Sequence, residues 1–243
     1  MRKIIILPII LLFFTSCITI YAPSPSYPGG QLSKQKTKVI KKSFEFSPGS
    51  LLKMNAEVGT YKIEGKPQKK LVYNGKVSAS TPDFFYDTDF SIKKEDDKTF
   101  ALKASVFKKS IKEVEITGNI FVPFETNIKG IFKEAKVDIT SIRGNISLTS
   151  NYLNSTLADV SGKVSVFSKS GHVRLTILEW DKSDSFSIVL DEGDIEFFAP
   201  KEAKLDIITD TGDNKVTKKY EFKKGKTRVY LKVKKGEILI DKI

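Results

Sequence analysis

The sequence predicts an all-β protein whose folded part is one β-solenoid, a coil of short strands stacked on one another. Three observations predict it. No stretch carries the apolar period of an amphipathic helix. Apolar residues recur instead at every second position, as at Val137 and Ile139, Ile146 and Leu148, Val164 and Val166, Val173, Leu175 and Ile177, and Val229, Leu231 and Val233. That is the strand period, because successive side chains leave opposite faces. Finally, a glycine, a polar residue and an apolar or β-branched residue return together along the chain, the mark of one element laid down repeatedly.

The first element is residues 1–17. Met1-Arg2-Lys3 is followed by an apolar run from Ile4 to Phe14 and then by Thr15-Ser16-Cys17, the order of a secretory signal. That run is too short to span a bilayer, since a crossing helix needs roughly 20 residues. Small residues leading into a cysteine resemble the lipobox of bacterial lipoproteins, with Phe14 where that motif prefers Leu. The resemblance implies cleavage before Cys17 and lipid on its thiol. Cys17 is the only cysteine, so no internal disulfide and no thiolate metal cluster can form. Lipidation also removes a free thiol that export would expose to oxidation. Loss of Arg2 and Lys3 with the signal lowers the formal net charge of +12 by two.

Residues 18–38 carry Pro23, Pro25, Pro28, Gly29, Gly30 and several serines. Such a segment has little to bury and reads as a flexible tether. Ile18 beside the cysteine is not the Asp that retains many lipoproteins at the inner membrane. The expected location is therefore the outer membrane or cell surface.

Residues 39–243 form the folded domain, with 39–112 the less regular part and 113–243 bearing the repeat. The repeated glycines are Gly118, Gly144, Gly162, Gly171, Gly193, Gly212 and Gly236, with looser copies at Gly59 and Gly75. A sharp corner between strands often needs a positive φ, which glycine adopts without strain. One strand–corner–strand unit cannot cover its own apolar face, so units must stack or close into sheets. Several intervals between corners, as from Gly144 to Gly162, from Gly171 to Gly193 and from Gly193 to Gly212, leave room for two strands and two corners. That is the length of one coil. The alternative is an antiparallel β-sandwich, but hairpins favour Asn-Gly and Asp-Gly pairs, and only Asn74-Gly75 has that form.

Val122-Pro123, Val137-Asp138-Ile139-Thr140-Ser141-Ile142-Arg143-Gly144-Asn145-Ile146, Asp159-Val160-Ser161-Gly162-Lys163-Val164 and Ser170-Gly171-His172-Val173 resemble the bacterial putative adhesin family, with its serial Ser-Gly-Asp-Val-like corners. Pro200 to Ile207 leading to Thr211-Gly212-Asp213 repeats that family's order of proline, strand and Gly-Asp. The resemblance runs from about Glu113 to Ile240. It implies a right-handed β-solenoid and a surface-binding role.

Catalytic groups are scarce. The single histidine, His172, has no nucleophile motif beside it and occupies a corner position that other copies fill with Asn, Lys, Asp or Glu. No His/Cys cluster offers a zinc or copper site, and no phosphate loop or dinucleotide fingerprint occurs. The acidic corners Asp191-Glu192-Gly193-Asp194 and Asp210-Thr211-Gly212-Asp213 match no calcium-loop spacing and read as solvated turns. Asp138, Asp159, Asp206 and Asp213 could supply a carboxylate pair for glycoside hydrolysis, but nothing selects two of them. The expectation is a protein with no cofactor and no enzymatic activity, with a carbohydrate-active enzyme as the alternative.

Charge supplies the remaining signal. Lysines gather at Lys66 to Lys70, at Lys108-Lys109 and from Lys218 to Lys235. In the last of these, Arg228, Lys232 and Lys234 alternate with Val229, Leu231 and Val233, making them candidate anion-binding residues. The same lysines would also protect an edge strand from pairing with another chain. Expected partners are the membrane through the lipid anchor and an anionic glycan, lipid headgroups or an envelope protein, the last as part of an envelope-stress response. An exported chain without an aromatic-basic motif offers nothing for nucleic acid. Phe84-Phe85-Tyr86 and Phe197-Phe198 are aromatic runs that could line a carbohydrate surface or fill a core.

Overall fold

The computed structural model describes residues 36–80, 88–106, 113–212 and 215–243. Cys17, the signal, the tether up to residue 35, Phe84-Phe85-Tyr86, Lys108, Lys109 and Asp213 lie outside the described residues. Among the described residues there is no α-helix, and fourteen strands join in one hydrogen-bonded sheet. In chain order they are β1 (Lys36–Glu45), β2 (Leu51–Lys66), β3 (Lys70–Ala79), β4 (Thr88–Lys94), β5 (Thr99–Val106), β6 (Val114–Pro123) and β7 (Asn127–Ile142). They continue as β8 (Ile146–Val160), β9 (Lys163–Thr176), β10 (Ser185–Ala199), β11 (Lys204–Asp210), β12 (Lys215–Lys218), β13 (Lys223–Lys235) and β14 (Glu237–Lys242). The fold is all-β.

Its centre is a parallel ladder, β2–β7–β8–β9–β10, continued by β13 and β14. Strictly alternating burial holds through the first half of each long strand and then breaks. Two outward residues follow one another at Lys133–Glu134 and at Asn151–Tyr152, so the strand bends there and the pairing skips one position before it resumes. Each long strand is thus a rung with two limbs. Register carries identical positions from rung to rung. Ile63, Ile139, Leu157, Leu175, Phe197 and Ile240 form one inward column, none more than 1 % exposed. Burying each such side chain contributes on the order of 1.5–3 kcal/mol, so the columns hold the rungs together.

The pitch from β7 to β8 equals that from β8 to β9, for Ile128, Ile146 and Val164 are evenly spaced in the chain and lie side by side. It lengthens at β10, where Val164 pairs with Phe186. The additional residues make a loop around buried Asp184, whose carboxylate accepts from the Gly162 N–H at 2.9 Å and the Asp181 N–H at 2.8 Å.

Chain order fails at both ends of the ladder. β2 lies between β7 and a rung made of β5 and β6. At the far end β13 and β14 lie between β10 and a last rung made of β11 and β12. The region expected to be less regular therefore contains a complete parallel rung, β2, alongside the antiparallel pairs β1–β3, β3–β6 and β4–β5. β1 starts at Lys36, inside the expected tether, because Lys36, Thr37 and Lys38 pair through their backbones with Ala79, Ser78 and Val77. Such pairing needs no apolar side chains. Asn74-Gly75 is not a hairpin turn, for both residues sit within β3, paired to β1 and β6.

Candidate functional site

The bends decide which side chains face outward, and in four rungs a glycine stands at the bend. Gly59, Gly171, Gly193 and Gly236 share one column immediately after the bend, with φ of 148°, 136°, 121° and 143°. A Cβ on Gly193 would lie 1.8 Å from the Gly171 carbonyl oxygen, and one on Gly236 would lie 1.7 Å from that of Gly193. Ala135 and Leu153 occupy the same column in β7 and β8, so these two rungs turn with a different backbone. Gly144 and Gly162 sit at the other corner, between strands, each close to the backbone of the rung before it. There Ser141 and Asp159 take positive φ of 56° and 53°, and the Ser141 hydroxyl bonds the Asp159 carboxylate at 2.8 Å. Gly212 turns the chain after β11 at φ 52° with no atom within 4 Å of a would-be Cβ. Gly118 belongs to none of these corners. It lies inside β6 opposite Gly75, and both leave room for the buried Tyr73 side chain, an aromatic ring covering paired glycines.

The three candidate β13 residues face outward as alternation requires, but Lys232 and Lys234 are occupied. Lys232 Nζ donates to Asp210 of β11 at 2.5 Å, Lys234 pairs with Asp191 of β10 at 2.7 Å, and Lys235 donates to Glu192 at 2.8 Å. Asp194 accepts from the Glu237 N–H at 3.0 Å. The acidic corners thus clamp the inserted rung on both sides. Arg228 shares the face, exposed and in register with Ser185 and Asp206.

The hydrogen bond from Lys232 holds the Asp210 carboxyl below its usual range, and Asp210 in turn raises Lys232. A depressed carboxylate stabilises the fold above its unfolded pKa and loses that contribution as pH falls through its folded value. A raised ammonium stabilises below its unfolded pKa and loses its share as pH rises through the folded value. The β11–β13 seam should therefore be most protected between about pH 5 and 9, given the ordinary Asp and Lys ranges. Hydrogen exchange of β11 amides, corrected for intrinsic rates, should show protection falling on both sides of that window. Equal protection at acid and neutral pH would remove the pair from the seam.

The catalytic candidates stand apart. His172 is half-exposed, with Asn154 and Asp194 as register neighbours rather than a hydroxyl. Its Nε2 lies 3.8 Å from Glu196, a carboxylate already held by Arg174. Asp138 faces outward on β7, Asp159 is engaged at a corner, and Asp206 lies on β11, four rungs beyond β8, or about 19 Å at the usual strand spacing. Asp206 therefore pairs with neither of the others, and the Asp159 carboxylate is taken by the Ser141 hydroxyl. Among the described residues no three of His, Cys, Asp and Glu gather as a metal site. Phe197 is fully buried, and Phe198 is half-buried with the Arg174 guanidinium 5.4 Å from its ring centre.

What the sequence reading passed over is an outward apolar column. Ile131, Thr149, Phe167 and Val189 are neighbours on the outer face of β7 to β10, with Ile131 49 % and Phe167 42 % exposed. Beside them lies an open groove of about 390 Å³ whose rim includes Lys133, Asn151 and Lys169. A second open groove, about 480 Å³, lies across the bend near Glu134, Tyr152 and Asn154. The signal was present in the sequence, since Ile131 and Phe167 fall on the polar phase of their strands, between Lys129 and Lys133 and between Ser165 and Lys169.

No protein-family model and no curated protein matches the chain. Solved structures do. A putative cell adhesion protein from Clostridium sporogenes aligns with a TM-score of 0.51 at 16 % identity, covering 86 % of this chain and 100 % of its own. A putative adhesin from Bacteroides fragilis aligns at 14 % identity and a TM-score of 0.26, covering 88 % of this chain and 100 % of its own. One from Parabacteroides distasonis aligns at 11 % and 0.29, covering 84 % and 97 %. The first of these shares the fold.

Proposed function

We propose that this chain is a lipid-anchored, non-enzymatic binding module of the bacterial cell envelope, an adhesin-like right-handed β-solenoid held off the membrane by its tether. The observation that carries the reading is the parallel ladder itself, in which successive rungs repeat the same outward positions. A long outer face of repeated polar and apolar columns suits attachment to an extended partner better than turnover in an enclosed cleft. The fold shared with the putative cell adhesion protein from Clostridium sporogenes supports it. Anchoring through Cys17 follows from the signal at residues 1–17. A single acyl chain gives marginal membrane binding, whereas two or more anchor stably, as the diacylglycerol implied by the lipobox would.

The test has two arms. Replacing Cys17→Ala should move the protein from the membrane fraction to the soluble fraction. A variant that remains with the membrane as firmly as the parent would end the anchor idea. The released Cys17→Ala protein should then bind isolated cell envelopes without degrading their polysaccharides. Turnover abolished by one Asp substitution would replace this reading with the enzyme.

A further inference from the structure

We propose that the outward face of β7, β8 and β9 is a binding site for a linear acidic polysaccharide. This assigns a ligand and a site to the binding module described above and rests on that reading.

Charge comes first. Along the first limbs of these three rungs the outward side chains include Lys129, Lys133, Lys163 and Lys169 and no carboxylate. None of the four lysines forms an ion pair among the described residues. Of the nearby carboxylates only Glu57 lines the groove beside these lysines, and the four lysines outnumber it. Glu95 is held by Lys53 at 2.9 Å, Glu57 accepts from the Val106 N–H at 2.7 Å, and Asp191 is held by Lys234. Glu134 belongs to the groove on the far side of the bend. This face keeps its positive charge, while β13, with more basic residues, has lost much of its own to Asp210, Asp191 and Glu192.

Spacing comes second. Ile131 and Phe167 occupy one paired column with Thr149 between them, and Lys133, Asn151 and Lys169 each stand two residues further along the same rungs, at the bend, lining one groove. Each pair is two rungs apart, about 9.5 Å at ordinary strand spacing. The surface therefore repeats along the stack as cation, amide, cation beside apolar, hydroxyl, apolar. A polysaccharide bearing one carboxylate per disaccharide has the matching alternation. Its carboxylates would meet the two ammonium groups, one sugar would lay its C–H face on the Phe167 ring, and the sugar between would reach Thr149 and Asn151. Aromatic side chains supply large contact area with little entropy to lose, while a few placed polar groups fix orientation.

Binding of hyaluronan oligosaccharides, which carry a carboxylate on alternate sugars, to the full chain carrying Cys17→Ala tests this. Phe167→Ala and the double variant K133Q/K169Q should each weaken binding by at least about tenfold. The charge-matched double variant K224Q/K226Q should change it less than about twofold, and neutral chitin oligosaccharides should bind at least about tenfold more weakly than hyaluronan. Equal losses in the two double variants would show diffuse attraction and overturn the site. Binding to phosphatidylglycerol vesicles in place of hyaluronan, abolished by the same variants, would make this a lipid-facing surface and overturn the ligand. If hyaluronan fails while isolated envelopes still bind, the site falls and the binding module stands. If envelopes fail as well, both fall.

Discussion

Gly193→Ala is expected to cost several kcal/mol, enough to leave little folded protein at growth temperature. Two penalties coincide there. The backbone sits at φ 121°, where a side chain is strained, and the new methyl would fall 1.8 Å from the Gly171 carbonyl oxygen, which cannot retreat without breaking its rung. Substitutions costing more than about 4 kcal/mol are exceptional and come from strain or overpacking of this kind. Gly212→Ala is the control. Its φ is also positive, at 52°, but nothing lies within 4 Å of the added carbon, so only the left-handed penalty of about 1–2 kcal/mol applies. Urea midpoints of the full-length variants should separate them widely. Equal losses would mean that conformation alone, not the stacked carbonyls, demands glycine in this column.

Truncation after Phe222 should have a larger effect still. It removes β13 and β14, which bury Val229, Leu231, Val233, Ile238 and Ile240, each at most 1 % exposed. At about 1.5–3 kcal/mol per side chain, the loss rivals the whole stability of a typical domain, about 5–15 kcal/mol. The geometry adds a further penalty. Among the described residues β11 pairs only with β13 and β12 only with β14, so both lose those ladder partners. The amides of β11 and β12 should exchange without protection, and soluble yield should collapse. Protection that persists in β11 would mean that it had moved one place and docked on β10. The columns allow that in principle, since Ile207 and Phe186 both stand beside Val229.

The strand alternation and the glycines at 171, 193 and 236 could be read before any coordinates because stacking leaves a covalent signature. A carbonyl one rung away forbids a Cβ, and the sequence records the prohibition. Gly118 misleads because its local text, Gly-Asn-Ile, is the same, while its reason is the Tyr73 ring pressed against it from β3. The β2 rung was obscured for another reason. Its pairing with β7 sets Leu52 beside Ile128, with β3 to β6 intervening in the chain, and periodicity cannot reveal a neighbour separated by an inserted sheet. Arg228, Lys232 and Lys234 were legible as outward-facing, but the occupation of Lys232 and Lys234 was not, since the carboxylates that hold them, Asp210 and Asp191, belong to other strands. Ile131 and Phe167 were open to view as apolar residues out of phase. They matter only beside Lys133 and Lys169, a neighbourhood that register creates.

The ladder also bears on how such a protein could change in size. From β7 to β10 four rungs follow one another in chain order up the stack, so an in-frame tandem duplication of a single rung there would slot in as one more storey, raising the stack by about 4.8 Å. The same duplication inside β2 or β13 would have to thread between rungs built earlier or later in the polypeptide. Variation in length among natural homologues should therefore fall in this middle zone, and with it the number of copies of the column that carries Ile131 and Phe167.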